Sequence, residues 1–211
     1  MGQILDKSEL VQKQRSNLHI TSSEFLFNRA VMSLPPTPQT LSEPLRVHCR
    51  CKALSGTVTT TPTFGAGTYC HCTRCQRRFG APFSSFAIFA NSSVKWDNAT
   101  KNIPGTDTLV PEAFKVTPDW DAVTDAAATS PNGVVDCTRC GGRIAFFLGT
   151  TDGICLMSGA FERDGEAGKI KGWEVIRPAF HIFYESRVVD MKDGLQKWEK
   201  TPGPGGVEAT E

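Results

Sequence analysis

Seven of the chain's eight cysteines fall into three tight clusters, HCRC at 48–51, CHCTRC at 70–75 and CTRCGG at 137–142. Nothing else in the sequence limits the fold as strongly, because thiols this close together read as ligands of a shared cation. In Cys49-Arg50-Cys51, on an extended chain, residues i and i+2 face the same way, so both sulfurs can reach one ion. In C-x-x-C-G-G the chain turns tightly, and glycine after the second cysteine supplies the backbone angles of that turn. One C-x-C and one C-x-x-C make four thiolates, a complete tetrahedral zinc site of structural type. The three thiols left over are one ligand short, and catalytic zinc sites hold three protein ligands and leave the fourth position to water or substrate. An open second site is therefore expected. Two alternatives stand beside it: closure by His71, His48 or His181 into a second structural site, and a redox C-x-x-C pair, which would want a βαβ context that this sequence lacks. Cys155, in the apolar run GICLM, reads as a buried core cysteine.

The metal reading presumes a reducing compartment, where disulfide frameworks are rare. The N-terminal stretch MGQILDKSELVQKQRSNLHI has no apolar h-region, and no run reaches the length of a membrane span, so the chain reads as intracellular and cytoplasmic. Gly2 invites a myristoylation reading, but Asp6 stands where that motif has Ser or Thr. A formal net charge of +1 offers no basic field of the kind that dominates nonspecific nucleic-acid binding.

A length of 211 residues suits one domain with extensions. Residues 1–44 are polar, end in SLPPTPQTLSEP and show a weak helical signal from Leu5 to Val11, which predicts a loosely docked extension. Over residues 45–200 short β-prone runs such as SGTVTTTPTF, SSFAIFA, RIAFFLGT and FHIFYES alternate with glycine. They predict a mainly β fold of antiparallel sheets with few short helices. A segment at about 97–134, rich in Asp, Thr, Pro and Ala, reads as an insertion acting as a lid or rim that packs through Phe114 and Trp120. Residues 201–211 read as a flexible tail, and a homo-oligomer stays open.

HCRC at 48–51, CHCTRCQRRFGAPF at 70–83, CTRCGGRI at 137–144, SGAF at 158–161 and HIFYES at 181–186 together resemble the glutathione-dependent formaldehyde-activating enzyme family, which includes centromere protein V relatives. The resemblance implies a zinc-bearing β-tent fold. It implies Cys49, Cys51, Cys137 and Cys140 as structural zinc ligands, and Cys70, Cys72 and Cys75 as holders of a second, open zinc. The activity implied is that of a carbon–sulfur lyase joining glutathione to formaldehyde, as S-(hydroxymethyl)glutathione. Gly80 matches the family's glycine after the three-cysteine motif. Arg77, with Arg74 and Arg78, is expected either to offset the charge of the thiolates and pair with the carboxylates of glutathione or to form a solvated basic turn. His71 and His181 are candidate proton shuttles, weighed against a purely structural role.

Three departures from the family pattern bear on the substrate: Lys52 stands where glycine is usual, Asp136 where an aromatic is common, and Val189 or Asp190 where a tryptophan often follows. They keep open a specialised-metabolite enzyme on the same zinc frame with a substrate other than glutathione. A non-catalytic zinc-stabilised binding module is the alternative of another class, and it would want a coherent basic face.

Overall fold

Near-continuous apolar runs such as IAFF in Arg143–Leu148 and ICL in Gly153–Met157 give the main sheet two buried faces. The computed structural model describes residues 37–102, 108–118, 120–121, 126–127, 133–148, 152–165, 168–203 and 205–209. The helical signal at Leu5–Val11 lies outside the described residues, as does Gly2.

In chain order the strands are β1 (Thr40–His48), β2 (Ser55–Thr60), β3 (Gly67–Cys70), β4 (Ser84–Ala90), β5 (Val94–Trp96), β6 (Lys101–Asn102), β7 (Leu109–Val110), β8 (Phe114–Pro118), β9 (Trp120–Asp121), β10 (Ala126–Ala127), β11 (Gly133–Cys137), β12 (Arg143–Leu148), β13 (Gly153–Met157), β14 (Pro178–Ile182) and β15 (Gln196–Lys197). Helix α1 (Thr73–Phe79) follows β3, and the single-turn helix α2 (Trp173–Ile176) precedes β14. The fold is mainly β, as the glycine-punctuated runs predict. Eight strands form one sheet in the order β15-β14-β3-β4-β13-β12-β11-β8, and β1-β2-β5 form a second. Pairing is antiparallel except at β14, which runs parallel to both β3 and β15.

On one face of the large sheet Ala87 and Phe89 of β4, Ile154 and Leu156 of β13, Ala145 and Phe147 of β12 and Val135 of β11 meet Val47, Val58 and Trp96 of the smaller sheet. This is the main core. The opposite face carries the intervening residues Phe86, Phe146, Cys155 and Ile182, together with Cys70. Phe114 at the start of β8 is buried and sets its ring edge-on to Trp96, 5.1 Å between centroids. Part of the segment expected as an insertion is thus an edge strand of the main sheet rather than a loop over it.

Gly67 opens β3 where a Cβ would lie 2.1 Å from the Ile176 carbonyl oxygen, so only glycine lets the strand pass the end of α2. At the C-terminal end, the Glu199 N–H donates to the Val207 carbonyl and the Ala209 N–H to the Lys197 carbonyl, each at 2.9 Å. Residues 205–209, expected within a flexible tail, instead return along β15 because these backbone groups pair. No helix among the described residues is long and apolar enough to cross a membrane.

Candidate metal centres

Cys49 and Cys51 leave the end of β1, Cys137 ends β11, and Cys140 sits in the turn beyond it; their four sulfurs all lie within 4.8 Å of one another. Cys49 and Cys51 sulfurs are 3.6 Å apart, and those of Cys51 and Cys137 3.8 Å. A disulfide would bring them to about 2.05 Å. A tetrahedron with metal–sulfur bonds of about 2.3 Å has edges of about 3.8 Å, which is the separation observed here. Backbone turns shape both halves. The Lys52 N–H donates to the Cys49 carbonyl at 3.0 Å and the Gly141 N–H to the Cys137 carbonyl at 2.8 Å. Both turning residues adopt positive φ, +60° at Lys52 and +67° at Gly141. Burial pushes the Cys49 thiol up to about 12, whereas the N–H groups of Cys51 and Gly142 pull Cys140 down to about 6.

Cys70 ends β3, Cys72 caps α1 by accepting the Cys75 N–H at 3.3 Å, and Cys75 is the buried residue of that helix. These three sulfurs also lie within 4.8 Å of one another, and no histidine or carboxylate joins them among the described residues. Thiol hydrogen bonds to Cys72 and Cys75, and then burial, push Cys70 well above its ordinary value. Hydrogen bonds from the Cys70 and Cys75 thiols pull Cys72 down to about 2. The trio by itself thus favours one thiolate accepting from two thiols, and a divalent cation is what lets all three ionise together.

Ser84 stands across from Cys70 in the β3–β4 pairing. It is 5% exposed, and its hydroxyl interacts with the Cys75 thiol yet has no hydrogen bond of normal geometry. A buried hydroxyl held by so weak a bond is costly, which favours its turning to a group bound at the sulfurs. Sequence reasoning did not single it out. The alternation Ser84, Phe86, Ile88 along β4, facing the cysteine side, is the signal that carried it.

His71 and His181 are fully buried and form a chain that ends on Asp193. His71 Nε2 and His181 Nδ1 are 2.8 Å apart, and His181 Nε2 lies 2.9 Å from Asp193 Oδ2. The His71 ring packs among Phe83, His181 and Tyr184, with centroids at 5.4, 5.1 and 5.0 Å. Burial, reinforced by His181, holds His71 down at about 4, so it is neutral at pH 7. Burial alone would raise Asp193, but the bonds from His181 and the Leu195 N–H outweigh it and keep the carboxyl below its usual range.

Arg74 and Arg77 project from α1 as exposed residues, while Arg78 is half-buried with its guanidinium 5.7 Å from the Phe146 ring centre. Gly80 adopts a left-handed conformation at φ +60° and closes the helix. Asp136 pairs with Arg143 at 2.9 Å, and Arg143 Nη1 donates to the Arg78 carbonyl at 2.6 Å. Asp136, directly before Cys137, thereby ties the four-sulfur turn to the end of α1. Asp190 pairs with Arg187, which lies 4.5 Å from the Tyr184 ring centre.

Comparison with protein-family models matches residues 44–186 to the glutathione-dependent formaldehyde-activating enzyme family. The chain belongs to that family. No curated protein matches it. Among solved structures, a Rhodobacter sphaeroides protein is 15% identical with a TM-score of 0.40, over 59% of this chain and 96% of that one. Each of the two cysteine groups of this family member could hold a metal ion, and all-sulfur donor sets with these spacings fit a soft or borderline cation.

Proposed function

We propose that this chain is a zinc-dependent enzyme of carbon–sulfur lyase type that forms or cleaves the adduct of a thiol, in the first instance glutathione, with an aldehyde. The observation that carries the reading is the trio Cys70, Cys72 and Cys75, grouped without a fourth donor among the described residues and flanked by the buried Ser84 hydroxyl. Cys49, Cys51, Cys137 and Cys140 would hold a structural zinc, and the trio a second zinc, in a β-tent frame working in a reducing compartment. When bound, the second zinc would favour the ionised form of a substrate thiol at neutral pH.

The chain's own groups supply the rest. In the forward direction the thiol sulfur bonds to the carbonyl carbon, the carbon–oxygen double bond becomes single, and the proton released by the thiol ends on that oxygen. The reverse cleaves the carbon–sulfur bond and returns the aldehyde. Ser84 Oγ donates to the oxygen as charge develops there, a contribution whose loss costs on the order of 100-fold in rate at comparable sites. Arg77 and Arg74, with Arg78 beside them, pair with the carboxylates of glutathione, and Gly80 lets the chain turn away from the substrate. His71 and His181 hold the loop between Cys70 and Cys72 from the other side.

Exchange NMR on glutathione and formaldehyde tests the reading. Zinc-loaded protein should speed interconversion of formaldehyde hydrate and S-(hydroxymethyl)glutathione, Cys72→Ser should abolish the effect in a folded protein, and Ser84→Ala should slow it about 100-fold. Exchange at the uncatalysed rate for every thiol and aldehyde tried would overturn it.

A further inference from the structure

A cavity of about 350 Å³ lies on the same face of the large sheet as the three-sulfur centre, lined chiefly by Phe64, Thr68, Ile88, Leu148, Phe180 and Ile182. Strand alternation puts this wall on the cysteine face of the large sheet. Thr68 precedes Cys70 by two residues on β3, Ile88 follows Phe86 by two on β4, and Leu148 follows Phe146 by two on β12. Ile182 is the direct cross-strand partner of Cys70, and Ile88, Leu148 and Phe180 pack against the cluster that contains Cys70 and Cys75. Cavity and sulfurs are therefore parts of one surface.

The chemistry of the wall selects its occupant. Among the described lining residues Asp152 is the single charged one, Thr63, Thr68 and Thr201 supply hydroxyls, and no lysine, arginine or histidine contributes. Glutathione, with two carboxylates and one ammonium, finds no cationic partner for its carboxylates among these lining residues and would leave charge buried against an apolar wall. Its cationic partners Arg74 and Arg77 belong to α1, which follows the cysteines, whereas the cavity borders the start of β3, which precedes them. Formaldehyde has no carbon beyond its carbonyl to put in so large an apolar space. Benzene fills a cavity of roughly 150 Å³, so this one admits a substituted aryl ring or an alkyl chain of roughly six to eight carbons. Phe64, 36% exposed, leaves an aromatic surface at the lining for such a group to cover.

We propose that the cavity is a substrate subsite for an apolar aryl or medium-length alkyl group carried by the carbonyl partner of the thiol. The inference rests on the thiol–aldehyde reading for its place in the reaction, and the bond changes are those given above with a carbon chain in place of one hydrogen of formaldehyde.

Two measurements separate the subsite from the reaction. Methyl-detected NMR of the zinc-loaded full chain, titrated with ethanol, 1-butanol, 1-hexanol and benzyl alcohol as unreactive probes, reads the cavity directly. Methyl shifts should appear at Ile88 and Ile182 and not at Ile154 in the opposite core, with affinity rising up to about fourfold per added methylene. Absence of shifts at Ile88 and Ile182, or affinity indifferent to chain length, would overturn the subsite. Rates are then compared for glutathione with formaldehyde, hexanal and benzaldehyde. The ratio of kcat/KM for hexanal over formaldehyde should exceed 10 and collapse in Ile88→Trp, which fills the cavity. Probe binding without any preference for the larger aldehydes would overturn its role as a substrate subsite. Probe binding with no turnover of any aldehyde would leave the apolar ligand site standing and overturn the thiol–aldehyde reaction instead.

Discussion

His71 Nε2 and His181 Nδ1 lie 2.8 Å apart in the interior, so one of them carries the proton between them and the other accepts it. Asp193 decides which. Its ionised carboxylate accepts from His181 Nε2–H, leaving His181 Nδ1 as the acceptor and His71 as the Nε2–H tautomer. Nitrogen-15 NMR at pH 7 should find both rings in the Nε2–H form. Asp193→Ala should lower unfolding free energy by about 2 kcal/mol, as loss of a charge-assisted bond to a buried ring requires. An Nδ1–H tautomer at His71 would contradict the chain of donors.

Lys52 occupies a left-handed conformation at φ +60° in the turn that carries Cys49 and Cys51. A side chain there costs about 1–2 kcal/mol relative to a residue free of Cβ, partly offset by the greater entropy that glycine loses on folding. Lys52→Gly should therefore stabilise the metal-loaded protein by about 1 kcal/mol, read as a higher denaturant midpoint at unchanged slope.

Asp97 receives Arg46 through both carboxylate oxygens and the Ser55 hydroxyl at 2.7 Å, joining β1, β2 and the residue after β5. The hydrogen bond from Arg46, which outweighs the opposing effect of burial, holds its carboxyl below the ordinary range. A depressed carboxylate stabilises the fold above its unfolded pKa, and that stability is lost as pH falls through the folded value. The difference in denaturant midpoint between wild type and Asp97→Asn should be constant near neutrality and vanish as pH drops well below about 4. A difference that grows on acidification would contradict the assignment.

The two cysteine sets should part company under chelation. A four-sulfur site contributes on the order of 10 kcal/mol to folding, comparable to the whole stability of a domain. Cys49→Ser, Cys51→Ser, Cys137→Ser and Cys140→Ser should each prevent cooperative folding, while Cys70→Ser, Cys72→Ser and Cys75→Ser should retain it and lose one metal equivalent. Graded chelation followed by metal analysis and circular dichroism should remove one equivalent before the fold melts. Simultaneous loss would make both sites structural.

The three cysteine clusters were legible in the sequence because their spacing is local, whereas the joining of Cys49 and Cys51 to Cys137 and Cys140, across 86 residues, was implied by the family resemblance and not by spacing. The strands of the main sheet were legible for the same reason, through alternation in runs such as SSFAIFA. What escaped depends on residues far apart. The parallel pairing of β14 with β3 brings His181 to His71 across 110 residues, and Asp193 joins them from a short KDG turn with no periodic signal. Alternation along β4 carried Ser84, but its place beside Cys70 depends on the β3–β4 register, and the apolar cavity becomes visible only when five strands lie side by side. Lys52 and Asp136, departures from the family pattern on the page, acquire reasons in three dimensions: one is a left-handed turn residue, the other holds Arg143 against the end of α1.

The account turns on a substrate sulfur entering the group formed by Cys70, Cys72 and Cys75, and cobalt substitution measures that entry most directly. Each cobalt–thiolate bond adds charge-transfer absorption, and tetrahedral geometry gives intense visible bands. Glutathione added to the fully loaded protein should raise the charge-transfer intensity by the increment of one sulfur, more strongly as pH rises towards neutrality, since a ligated thiol gives up its proton. S-methylglutathione, which has no ionisable thiol, should leave the spectrum unchanged, and so should glutathione added to the triple variant Cys70→Ser, Cys72→Ser, Cys75→Ser. A loaded protein whose spectrum ignores glutathione and other small thiols, or a response that survives the triple variant, would contradict the central claim.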